Sequence, residues 1–250
     1  MQHPVVVIGA GPIGLAAAAH AAERQMSFVV LESGADAGAA VGEWSHVRLF
    51  SSWSELVDPA ARRLLEASGT WTPPEDGAYP TGGEWRSAYL QPLADLLDAR
   101  PGGEVRYDSR VVGVGRAGRD LLVDSGREDD PFAVHVATMT GRERILARAV
   151  VDASGTWTSP NPLGADGYPA DGEAEHRERI TYGIPDLADP APPFLEVRRR
   201  DMGREMLPAL PFLVNPDHVR VLHVDPIAVD PAPRLRPARR QHRQPGRLQF

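Results

Sequence analysis

Gly9-Ala10-Gly11-Pro12-Ile13-Gly14 sets how the chain begins to fold. It directly follows Val5-Val6-Val7-Ile8, a short apolar run that reads as a buried strand. It opens Pro12 to Arg24, an Ala-rich stretch that reads as a helix. A second apolar run, Phe28-Val29-Val30-Leu31, ends at Glu32, eighteen residues past Gly14, and Ser33 follows it. Each part has a physical task. Gly9 allows the tight turn out of the strand, Gly11 lets backbone approach a pyrophosphate, and Gly14 lets helix and strand pack closely. The helix start at Pro12, Ile13 and Gly14 turns free N–H groups and a positive dipole end toward phosphate. Glu32 is placed to accept hydrogen bonds from ribose hydroxyls. A carboxylate there disfavours a 2′-phosphate, so the site prefers FAD or NAD to NADP.

The same spacing recurs at Gly113-Val114-Gly115-Arg116-Ala117-Gly118. The sequence after it, Arg119 to Gly126, alternates and stops, with no room for a crossover helix before Pro131. This copy reads as a hairpin turn.

With 250 residues, 42% of them hydrophobic, the chain can bury a sizeable core. A net charge of -7 gives no electrostatic case for nucleic acid or an anionic membrane. There are no cysteines, which removes disulfides, Cys nucleophiles, Cys-based zinc sites and redox dithiols. All 27 basic residues are Arg. Without Lys there is no P-loop, no Schiff base for pyridoxal phosphate and no Tyr-x-x-x-Lys pair. His218 and His223 have no carboxylate placed to complete a metal site, and no metal ligands are expected elsewhere. No nucleophile elbow stands before a catalytic Ser.

The chain divides in two. Residues 1–190 carry 16 Arg against 28 acidic residues, net -12. Residues 191–250 carry 11 Arg against 6, net +5, and 10 of the 24 prolines. That Pro/Arg-rich tail is expected to be irregular and poorly ordered. In the first part, a loop of Gly and Ala runs to about Val41. Asp58-Pro59 starts a helix that Gly69 closes. Glu84 to Asp98 is amphipathic, with Pro92 as a kink. After Pro101-Gly102-Gly103, strands are expected at Val105–Tyr107, Arg110–Val114, Asp120–Val123, Phe132–Thr138 and Ile145–Ala153. The fold class is α/β, with a βαβ opening, a parallel sheet and an antiparallel meander.

Further segments carry a family resemblance: Val41-Gly42-Glu43-Trp44, Val47-Arg48-Leu49-Phe50-Ser51, Tyr79-Pro80-Thr81, Val150-Val151-Asp152-Ala153-Ser154-Gly155-Thr156-Trp157 and Pro160-Asn161-Pro162. With the glycine loop, they make residues 4–186 resemble the FAD-binding, Rossmann-like N-terminal half of the flavin-dependent monooxygenase-like proteins. These belong to the two-dinucleotide-binding flavoprotein superfamily. The resemblance implies FAD as cofactor. It implies that Trp44 and Arg48 lie near the flavin and that Val112 meets adenine through its backbone. It also implies that the turn Ala153-Ser154-Gly155 brings backbone close to the cofactor. A further family motif, Phe-x-Gly-x-x-x-His, is met only in part at Gly172 to His176, with Ala170 where Phe belongs; His176 reads as a solvated loop residue.

Such proteins continue with a second βαβ unit that binds NADPH, which reduces the flavin. Nothing after Asp186 supplies that unit. Composition, charge sign and periodicity change together near Ile184-Pro185-Asp186, a pattern that fits a reading-frame shift or a truncation. Translating the downstream DNA in all frames tests it. The expected function is an FAD-dependent, monooxygenase-like oxidoreductase domain drawing electrons, originally from NADPH, through a separate reductase or a second chain. Two alternatives stand beside it: a non-catalytic remnant that binds FAD weakly or not at all, and a NAD-dependent dehydrogenase. The substrate and the catalytic residues are not readable. Val5–Ala22 lacks a basic n-region and is broken by glycines, Pro12 and His20, so it reads neither as a signal peptide nor as a membrane span. The expected location is cytoplasmic.

Overall fold

Four parallel strands form the sheet that carries the glycine loop. Their order is β3-β2-β1-β7, with β1 at Val5–Ile8, β2 at Phe28–Leu31, β3 at Val105–Arg106 and β7 at Ala149–Asp152. Register pairs Val5 with Phe28 on one side and with Ala149 on the other. The computed structural model describes residues 3–120, 122 and 125–186. The tail 191–250, with His218 and His223, lies outside them.

The apolar runs of β1 and β2 are continuous because both faces of the sheet are covered. On one face Val5, Val7, Phe28 and Val30 pack against helix α1, Pro12–Glu23, and against helices that follow it. On the other face Val6, Val29 and Leu31 pack against Val134, Val136 and Ala147. Those three residues belong to a separate antiparallel sheet of β4, Arg110–Arg116, β5, Phe132–Thr138, and β6, Gly141–Ala147.

The helical layer is held by identifiable local chemistry. Two four-residue helices, α2 at Ala39–Gly42 and α3 at Trp53–Leu56, lead to α4 at Pro59–Ser68. Asp58 caps α4 by accepting from Ala60 N–H at 2.8 Å and Ala61 N–H at 3.1 Å, and Gly69 ends it at φ +71°. Such a cap contributes about 1 kcal/mol. Helix α4 is tied to α1 by a two-pronged Arg63–Glu23 ion pair at 2.7 and 3.0 Å.

The next helix begins two residues before the expected Glu84. Thr81 and Glu84 form a capping box that starts α5 at Gly82–Trp85. A π turn at Arg86–Leu90 follows, then α6 at Gln91–Asp98. Pro92 has no N–H to give the Ala88 carbonyl one turn back. That carbonyl accepts instead from Trp71 Nε1 at 2.7 Å. The kink is thus a π turn with an outside donor serving the freed acceptor.

Three expectations are corrected. The Gly/Ala loop expected to run to about Val41 ends in α2. Of the expected strand Asp120–Val123 only Asp120 and Leu122 are described, and neither is in a strand: Leu122 is a bend residue, 90% exposed, and Arg119 pairs with Asp130 nearby. Ile145–Ala153 is not one strand: the chain leaves the antiparallel sheet at Ala147 and enters the parallel sheet at Ala149. The pivot is Arg148, whose N–H donates to the Pro4 carbonyl at 3.1 Å. The continuous apolar pattern hid the change of sheet because both halves face protein on one side.

Candidate functional site

The three glycines of Gly9–Gly14 have different surroundings. Gly9 has φ +98°, and a Cβ there would lie 2.7 Å from the Ala153 carbonyl oxygen. A Cβ on Gly14 would collide with the Gly9 carbonyl oxygen. At Gly11 nothing lies within 4 Å of the same position. Two glycines therefore close the fold, and the middle one faces open space, as a cradle for a ligand's phosphates requires. Gly11 is also the N-cap of α1 and Pro12 its N1 residue. The N–H groups of Ile13 and Gly14 have no partner inside the helix and point out of its positive end. The Ile13 side chain is 73% exposed.

Ala10 fixes the loop from both sides. Its N–H donates to Glu32 Oε2 at 2.7 Å, and its carbonyl accepts from Gly38 N–H at 2.9 Å. Glu32 is buried. Its other oxygen accepts from Gly34 N–H at 2.8 Å and from the hydroxyl of the exposed Ser33 at 3.3 Å. A carboxylate offers about four lone-pair directions, so these bonds leave capacity for ribose hydroxyls.

The Ala153-Ser154-Gly155 turn adjoins the loop. Ala153 N–H donates to the Ile8 carbonyl at 2.9 Å, and Gly155 sits at φ +66°. Asp152 holds the turn by accepting from Ser154 Oγ at 2.7 Å and Ser154 N–H at 3.1 Å. These bonds, the hydroxyl's first, keep the Asp152 carboxyl below its ordinary value.

Trp44 packs over Gly82, where a Cβ would come within 2.7 Å of its ring. It also meets Trp157, with ring centroids 6.4 Å apart and planes at 56°. The Trp157 indole donates to Glu43 at 2.7 Å. The Gly42–Trp44 segment is thus tied to the residues just past Gly155. Arg48 has different company: it donates to the Tyr79 carbonyl and pairs with Glu84 at 3.6 Å, fastening its own loop to the start of α5. Val112 is the extra residue of a bulge where the ladder steps from Val111↔Val136 to Gly113↔His135, and its side chain is 51% exposed.

His176 is exposed. Its neighbour Glu173, which drew no attention in the sequence, is buried and accepts from Leu163 N–H, Ala170 N–H and the Tyr182 hydroxyl. The tyrosine bond comes first in holding its carboxyl below the usual range. Gly38, at φ +63°, is the partner of Ala10, and nothing in a Gly/Ala-rich loop marks one glycine for that part.

A family model described as FAD dependent oxidoreductase matches residues 4–156. The chain belongs to the FAD-dependent oxidoreductase family. No protein of curated function matches it. Among solved structures it is similar to a bacillithiol disulfide reductase from Bacillus cereus, with 22% identity, a TM-score of 0.49, and 66% of this chain and 43% of that one covered. It is similar to a flavin-containing monooxygenase from Stenotrophomonas maltophilia, with 28% identity, a TM-score of 0.44 and 66% and 42% covered. It is also similar to an ornithine N-hydroxylase from Kutzneria sp. 744, with 24% identity, a TM-score of 0.44 and 62% and 38% covered. The chain spans less than half the length of each. Among the described residues, no helix is long and apolar enough to cross a membrane.

Proposed function

We propose that this chain binds FAD in the loop Gly9–Gly14 and serves as the flavin-holding part of a monooxygenase-like oxidoreductase. The observation that carries the reading is the contrast among the three glycines: Gly9 and Gly14 closed by protein, Gly11 open. Backbone N–H groups of Gly11, Ile13 and Gly14 would hold the pyrophosphate. Glu32 would take the adenosine ribose, and Val112 would offer backbone to the adenine. Trp44 and the Ala153-Ser154-Gly155 turn would border the flavin end, with Arg48 supporting the neighbouring loop. When bound, the flavin supplies redox chemistry; the protein positions it and keeps water away.

Electrons would come from NADPH through a separate reductase or a second chain, and the cytoplasm is where this reading expects that supply. The substrate is a small molecule whose pocket this chain does not define. Nucleic acid and membranes are not expected partners.

The test is the visible absorption spectrum of the purified protein, with the released cofactor identified after denaturation. A flavin spectrum and released FAD are expected. A colourless protein whose thermal stability does not rise with added FAD would overturn the reading, because a ligand that binds the native state must raise it. Stabilisation by NAD alone would favour a dehydrogenase.

A further inference from the structure

The segment after Glu32 reaches the phosphate loop through one hydrogen bond, Gly38 N–H to the Ala10 carbonyl. Two side chains hold that segment: Gln91 accepts from the Ala37 N–H at 3.1 Å, and Arg86, from the π turn, grips it at two further points. Arg86 donates from Nε to the Ala37 carbonyl at 3.0 Å and forms an ion pair through Nη2 with Asp36. Its Nη1 lies 3.2 Å from where a Cβ on Gly42 would stand. A guanidinium is a planar fork with five donors, suited to holding two acceptors at a fixed angle. The neighbouring Leu90 packs against Gly38, within 2.7 Å of the Cβ position there. Arg86 therefore spans the loop from Asp36 to Gly42, and its hold passes through Gly38 to Ala10.

The π turn explains how it reaches. Gln91 N–H bonds to the Arg86 carbonyl, one residue wider than an α-helical turn. The side chains before Pro92 are thereby rotated relative to those after it.

We propose that Arg86 is a positioning residue for the dinucleotide: it sets the segment 36–42, and so the shape of the phosphate loop, without touching the ligand. The proposal rests on the FAD-binding reading above, and it also assigns Gly42. That glycine leaves room for the guanidinium.

The experiment compares wild type, Arg86→Gln and Arg86→Lys by FAD titration, by thermal unfolding of the ligand-free protein, and by amide hydrogen exchange of ligand-free residues 9–14 and 36–42. Arg86→Gln weakens FAD binding about tenfold, the loss expected when a charge-assisted hydrogen bond is removed. Arg86→Lys restores part of it, since an ammonium can serve Asp36 but not hold both acceptors in one plane. Exchange rises in both segments while the Tm of the ligand-free protein moves by no more than about 2 °C. Equal FAD affinity in wild type and Arg86→Gln overturns the proposal, as does unchanged exchange. A Tm loss that accounts for the affinity loss, with no rescue by Lys, overturns it in favour of a general stabilising role. If wild type binds no FAD, the functional reading fails, whatever the exchange data say of Arg86.

Discussion

Gly9–Gly14 and Gly113–Gly118 share one glycine spacing and little else. The first leaves a buried parallel strand and enters a helix of twelve residues. The second begins inside an antiparallel strand and ends in a turn at Gly118, φ +72°. In the first, Gly9 and Gly14 are pressed against backbone. In the second, none of the three glycines has an atom within 4 Å of a Cβ position. The first pattern has the form a phosphate site needs: its first and last members close the turn and its middle member is left open. The spacing alone does not separate the two cases; the helix that must follow does.

Substitutions sharpen that contrast. The largest effect is expected for Gly14→Ala, whose methyl meets the Gly9 carbonyl, a backbone atom with nowhere to go. Overpacking of this kind costs about 3 kcal/mol, or roughly 10 °C in Tm for a chain of this size. Thermal unfolding measures it. Gly11→Val should leave the ligand-free Tm near wild type, because the site is open and its extended backbone (φ -78°) suits any residue. It should abolish FAD binding by filling the cradle.

Glu32→Gln should weaken FAD binding about tenfold in a titration, since an amide cannot accept from both Ala10 and Gly34 as the carboxylate does. Acid should act gently through the neighbouring turn. Asp152 has a depressed carboxyl value, so its contribution to stability is complete above about pH 4 and fades as pH falls through the depressed value. Ser154→Ala should flatten that part of the Tm–pH profile. The smallest effect is expected for Gly115→Ala. It should leave FAD binding unchanged and shift stability by no more than about 0.5 kcal/mol, in the stabilising direction, because glycine is a poor strand residue.

Much of this arrangement is legible in the sequence. Val5–Ile8, Phe28–Leu31 and Phe132–Thr138 form strands at the expected bounds because each apolar run fits one environment along its length. Pro12, Asp58-Pro59 and Gly69 mark helix ends through chemistry local to a few residues. Where the cause is distant, the sequence is silent. The break at Arg148 depends on Pro4, far along the chain. The serviced carbonyl of Ala88 depends on Trp71. Arg86 reads as one more charged residue on an amphipathic helix, and only the fold brings Asp36 and Ala37 to it. The same holds for Glu173, whose acceptors are filled by Leu163, Ala170 and Tyr182.

FAD is expected in the first glycine loop and not at the second. An FAD titration of Gly11→Val beside Gly115→Val, followed by flavin fluorescence, separates the two loops. No binding is expected in Gly11→Val, and wild-type affinity in Gly115→Val. Wild-type affinity in Gly11→Val would place FAD elsewhere.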